Sequence, residues 1–137
     1  MNRAQKEQAL YLADEARLNL WIHEESPLTA IGGERQRSGD TQQAKFDAGL
    51  SKARRGESAH EYLRAQDLEF FDVDGSWLEV PVKSKFPDVV SYLEAVRVHK
   101  SKVKHVGMKW ESLDPLNFRG GNIKGLYDPG HFERREK

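Results

Sequence analysis

The sequence predicts an α+β fold in which helices pack on one small, mainly antiparallel sheet. Three observations carry that expectation. Apolar residues recur at helical spacing over two long stretches, 3–22 and 88–105. Segments of alternating character flank the tight turn Asp72-Val73-Asp74-Gly75, which is the pattern of a hairpin. From residue 108 onward the chain reads as short extended pieces separated by Asp-Pro, Gly-Gly and Pro-Gly turns. With 137 residues, 37% of them apolar, the chain suits a single domain spanning 1–137 with one core.

In chain order, the first helix covers 3–22, with Leu10, Ala13, Ala16 and Leu20 as its apolar face. Ser26-Pro27 ends that segment, because a residue before proline avoids helical geometry. A short strand follows at 28–31. A second helix covers 40–49, with Asp40 or Thr41 as N-cap and Gly49 as its stop. Residues 50–59 form a polar, basic loop. Residues 65–71 and 76–82 are the two strands of the hairpin. Asp88 caps a third helix with Val89, Val90, Leu93, Val96 and Val103 as its apolar face, running to His105 and stopping at Gly107. The last strand is His131-Phe132-Glu133.

Composition narrows the function. Lys plus Arg equal Asp plus Glu at 22 each, so the chain lacks the positive excess with which nucleic-acid binders neutralise phosphates. There is no cysteine, which excludes disulfides, thiolate metal sites and a thiol nucleophile. Any metal must be held by His, Asp and Glu. No apolar run approaches the ~18 residues of a membrane span. The stretch MNRAQKEQALYLADEARLNLW is charged throughout and lacks a signal-peptide core. The expectation is a protein held in the cytoplasm until something releases it.

Five histidines are candidates for chemistry. His23 follows the first helix, and His99 and His105 stand among Lys100, Lys102 and Lys104 on an expected solvated face. His60 and His131 differ in their company. His60 ends the polar loop seven residues before Asp67, and His131 lies between a Pro-Gly turn and a strand. Two imidazoles and one carboxylate make a three-ligand zinc set with a position left for water. On the residues alone, a turn carboxylate and a strand-end histidine are the alternative.

The stretch Ser58-Ala59-His60-Glu61-Tyr62-Leu63-Arg64-Ala65-Gln66-Asp67 resembles the S-x-H-x-x-G-x-A-x-D motif of the D-alanyl-D-alanine carboxypeptidase family of zinc peptidases. That family includes the bacteriophage L-alanyl-D-glutamate endolysins. Asp128-Pro129-Gly130-His131-Phe132-Glu133 resembles its D/E-x-x-H motif. Arg37-Ser38 with the stretch from Gln43 to Lys52, and Phe118-Arg119-Gly120-Gly121-Asn122, are similar to two further family segments in the same order. Leu63 stands where the family has glycine, Gln66 where it has an apolar residue, and Arg35 rivals Arg37 because the interval to Gln43 is one residue longer.

The resemblance implies the fold of hedgehog-type and D-Ala-D-Ala peptidases, with Zn2+ on His60, Asp67 and His131. It implies Asp128 as general base, Arg37 steadying substrate charge, and Ser58 and Gln43 at the substrate. Glu133 either orients a ligand histidine or faces solvent. The run Lys52, Arg54, Arg55 is a solvated loop or an attractor for an anionic peptide. Trp77, Trp110, Tyr127 and Phe132 read as core or hairpin residues rather than a substrate platform. The function implied is that of a monomeric phage endolysin cutting the L-Ala-D-Glu bond of the peptidoglycan stem peptide during host lysis. The alternatives are a D-Ala-D-Ala carboxypeptidase and a non-catalytic phage structural or wall-binding relative.

Overall fold

The structure is a computed structural model that describes residues 1–32, 39–51, 53, 64–123 and 126–135. Its elements are α1 (Arg3–Glu25), β1 (Thr29–Gly32), α2 (Gly39–Asp47), β2 (Ala65–Phe71), α3 (Val89–Leu113), β3 (Asn117–Arg119) and β4 (His131–Arg134). Short 3-10 turns lie at Lys83–Lys85 and Gly120–Asn122. The strands form one antiparallel sheet in the order β1-β2-β4-β3. The α+β class is therefore as the sequence predicts.

Helix α1 starts at a capping box: the Asn2 side chain accepts from the Gln5 amide, and the Gln5 side chain accepts from the Asn2 amide. It runs one turn past the expected end, to the residue before Ser26-Pro27. Its buried stripe is Tyr11, Asp14, Leu18 and Ile22, not the expected Leu10, Ala13, Ala16 and Leu20. Leu10 and Leu20 are exposed. The helix is rotated because the stripe of Tyr11, Leu18 and Ile22 offers more apolar area than Leu10 and Leu20 with two alanines. Asp14 enters that stripe by accepting from Asn117 and from Arg17.

Helix α3 begins at Asp88, whose carboxylate accepts from the Ser91 amide, as expected. It does not stop at Gly107. It continues to Leu113, because Val106 and Trp110 prolong its buried face, and Asp114-Pro115 ends it. The expected apolar residues Val89, Val90 and Leu93 are exposed, and the buried face is Val96, His99, Val103, Val106, Gly107 and Trp110.

The expected turn after β2 forms, with Gly75 at φ +85° and its amide bonded to the Asp72 carbonyl. The expected second strand at 76–82 does not. It meets β2 in a Phe71–Trp77 bridge and a Leu78 to Phe70 backbone bond, without forming a ladder. β1 and β4 already occupy the two edges of β2, and Pro81 lacks a ladder donor.

The core joins Tyr11, Leu18 and Ile22 of α1 and Val103, Val106 and Trp110 of α3 to Leu68, Phe70 and Phe132 of the sheet. The fully buried Trp110 indole donates to both the Phe118 and Glu133 carbonyls, which ties α3 to β3 and β4 together. Arg134, also buried, pairs with Glu7 at 2.6 Å and Asp114 at 2.7 Å. Along β4 the side chains alternate. Phe132 and Arg134 face the helices, and His131 and Glu133 face the other side.

Phe132→Ala is expected to cost about 3–5 kcal/mol, the range for a fully buried aromatic, whereas Trp77→Ala, at an exposed position, should cost less than about 1 kcal/mol. Urea unfolding of the two variants checks this. Equal losses would mean that the helix-facing side of β4 is not the core.

Candidate metal centre

The face of β2 and β4 turned away from the helices carries the site. The antiparallel register sets Asp67 directly opposite His131 and Ala65 opposite Glu133. Register partners share a face, so the imidazole and the Asp67 carboxylate meet, with His131 Nδ1 3.0 Å from Asp67 Oδ1. His131 Nε2 lies 3.0 Å from Glu133 Oε1, two residues along the same strand. Both ring nitrogens thus face carboxylates, and the ring itself is buried.

Asp128 joins from the turn that precedes β4. The His131 amide donates to the Asp128 carbonyl at 3.2 Å, closing a four-residue turn over Pro129-Gly130. Two glycines let that turn sit where it does. A Cβ on Gly130 would stand 2.1 Å from the Leu68 carbonyl oxygen, and the Gly130 carbonyl accepts from the Leu68 amide. A Cβ on Gly120 would stand 2.1 Å from the Asp128 carbonyl oxygen, and the Gly120 carbonyl accepts from the Asp128 amide. The Pro-Gly and Gly-Gly signals in the sequence therefore mark backbone packed against backbone on either side of Asp128. As a result, one ligand atom each from Asp67, Asp128 and His131 lie within 4.8 Å of one another.

This donor set fits a metal ion. Oxygen and imidazole nitrogen ligands at about 2.0–2.2 Å in tetrahedral array stand roughly 3.3 Å apart. The Asp67 to His131 separation of 3.0 Å is close to that value. The second ring nitrogen is held by Glu133, the carboxylate backing common for a ligating histidine.

In the metal-free chain the same geometry favours a proton. Burial opposes charging of His131, but the hydrogen bonds and charges of Asp67 and Glu133 outweigh it and push its pKa up to about 10.

Of the residues singled out in the sequence, the structure brings Asp67, Asp128 and His131 together. His60, Ser58, Arg37, Arg35, Leu63 and the Lys52, Arg54, Arg55 run lie outside the described residues. Gln43 donates to Asp47 on its own helix at 2.9 Å. Its neighbour Gln42, which the sequence reading passed over, is fully buried and donates to Ser51 Oγ and to the Ala53 carbonyl. Gln66 is buried in a reciprocal amide pair with Asn19 of α1, which accounts for a polar residue at an apolar position.

His99 is not on a solvated face. It is buried, with Nδ1 2.6 Å from the Tyr127 hydroxyl and Nε2 3.3 Å from the Leu78 carbonyl. The Leu78 carbonyl and the Tyr127 ring cover it, although its lysine neighbours suggested solvent. His105 meets Ser26 Oγ at 2.8 Å. Trp110 and Phe132 are core as expected, and Trp77 is exposed.

No protein-family model matches the chain, and no curated protein matches it in sequence. Among solved structures it is similar to the Serratia marcescens L-Ala D-Glu endopeptidase ChiX. The identity is 20% and the TM-score 0.57, over 97% of this chain and 86% of that one. At that identity the likeness is one of fold. Among the described residues, no helix is long and apolar enough to cross a membrane.

A histidine pKa raised on folding adds stability below its unfolded value of about 6.5, and that stability is lost as pH rises towards about 10. In chelator-treated protein, the His131 imidazole should therefore titrate near pH 10 by NMR, and stability should decline between pH 6.5 and 10. A midpoint near 6.5 would remove the carboxylate pairing from the solution structure.

Proposed function

We propose that this chain is a zinc-dependent peptidoglycan peptidase that cuts the L-Ala-D-Glu bond of the stem peptide. The observation that carries the reading is the Asp67 and His131 pair set by β-sheet register, with Asp128 beside it. The fold likeness to an L-Ala D-Glu endopeptidase supports it, as do the four sequence segments in family order. A role in phage-driven host lysis, with the chain working as a monomer, is the biological form of the same proposal.

In this reading His60, Asp67 and His131 hold the metal. Zinc, when bound, supplies Lewis acidity and brings a water to a pKa of about 7. Asp128, held three residues before His131 by the glycine-lined turn, accepts a proton from the attacking water at its carboxylate. It then passes the proton to the amine of D-glutamate as the amide C–N bond breaks. The water's remaining oxygen and hydrogen stay on the L-alanine carbonyl carbon, giving a new carboxyl end. Glu133 holds the His131 ring so that Nδ1 points at Asp67. Arg37 meets the substrate's negative charge through its planar fork, and Ser58 and Gln43 contact the peptide.

Elemental analysis of zinc-loaded protein should give about one metal per chain. His60→Ala and His131→Ala should each abolish tight binding. Asp128→Asn should keep the metal and lose turnover by about 10²–10⁴-fold, the usual weight of a general base. Loss of metal in Asp128→Asn would make Asp128 a ligand instead.

Digestion of purified peptidoglycan, followed by mass analysis, should release fragments with new L-alanine carboxyl and D-glutamate amino ends. Release of D-alanine alone, with the network uncut, would reassign the chain as a carboxypeptidase. No cleavage by metal-loaded protein would point to a non-catalytic relative.

A further inference from the structure

A cavity of about 250 Å³ lies between α3 and residues 119–121 and 127–129, lined by Lys100, Val103, Lys104, Gly107, Arg119, Gly121, Tyr127 and Pro129. Three of these residues are cationic and none is acidic. The whole chain carries no net charge, so this concentration of one sign is local.

The cations are organised by the fold. Gly107 has no side chain, and a Cβ there would meet the Arg119 side chain at 2.3 Å. Arg119 therefore lies across α3, where it donates to the Lys104 carbonyl at 3.1 Å and pairs with Glu111 at 2.6 Å. The Lys100 ammonium stands 5.4 Å from the centre of the Tyr127 ring. Tyr127 is fixed in turn by His99, with its hydroxyl 2.6 Å from Nδ1. Lys104 has no carboxylate partner among the described residues. Among the described residues, the carboxylate paired with these three cations is Glu111, through Arg119, which leaves a surplus positive charge facing the pocket.

Such a site suits a compact anion with several acceptor oxygens. Arg119, held by Glu111 through Nε and by the Lys104 carbonyl through Nη1, keeps Nη2 for a ligand, and the lysines offer point charges that can adjust. Val103, Pro129 and the Tyr127 ring exclude water on one side, which strengthens each charge-assisted bond.

We propose that this pocket binds a small oxyanion carrying two negative charges, of the phosphate or dicarboxylate class. It is distinct from the Asp67, Asp128 and His131 site, although Pro129 of its wall belongs to the turn that carries Asp128. The proposal does not rest on the peptidase reading.

The test uses the full chain, metal-free and at fixed ionic strength, titrated with inorganic phosphate, with succinate, and with chloride as control, and followed by backbone amide NMR. Phosphate or succinate should give saturable shifts at Lys104, Gly107, Arg119 and Gly121, and whichever saturates names the class. Lys100→Gln with Lys104→Gln, both at exposed positions, should weaken binding at least tenfold without changing the fold. His131→Ala should leave it unchanged. Non-saturating shifts spread over all surface lysines, or saturation that survives the double substitution, overturns the proposal. Loss of binding in His131→Ala overturns it too, because the anion would then sit at the carboxylate site.

Discussion

The pairing of β2 with β4 is the constraint on which the rest of the site depends. In an antiparallel ladder the side chains alternate with a period of two, so register decides at once which residues share a face and which meet. With Asp67 opposite His131 and Gln66 opposite Phe132, the ionisable groups gather on one side and the core residues on the other. A slip of one residue would bring Phe132 across from Asp67 and send the histidine into the helices. The cost would be an exposed aromatic and a buried, unsatisfied imidazole together. Core packing and site assembly therefore select the same register.

The helices enforce that choice from behind. Trp110 donates to carbonyls of both β3 and β4, so its indole measures the distance between two strands. Arg134 reaches Glu7 and Asp114, one at the start of α1 and one at the end of α3. These contacts pin β4 at its helix-facing side, and the glycines at 120 and 130 pin the turn before it by close backbone approach. Asp128 and His131 thus receive their positions from residues that take no part in their chemistry.

Much of this was legible in the sequence. Short-range signals located β2, the Asp88 cap and the Gly75 turn. The resemblance to two family motifs singled out Asp67, Asp128 and His131, whose ligand atoms the structure brings together. What failed had long-range causes. Two stripes on α1 have helical spacing, and only the partner surface, including Asn117 for Asp14, decides between them. Gly107 looks like a helix stop until Arg119, twelve residues on, is seen to need its empty space. The 76–82 segment has strand character, but the edges of β2 were already taken by segments distant in sequence. Glu133 could have been placed by alternation alone, since it is two residues from His131 on the same strand.

The strand order has a further consequence for how the molecule is made. β4 comes last of the four strands in the chain, yet it lies inside the sheet, between β2 and β3. During synthesis, at the pace of a ribosome, the first three strands emerge with a gap where their central neighbour belongs. The histidine that completes the pair with Asp67 enters only when that gap is filled. Closing the sheet and creating the carboxylate-imidazole pair are therefore one event, and a partly built chain has Asp67 without His131 beside it. A site organised in this way is incomplete until its architecture is finished.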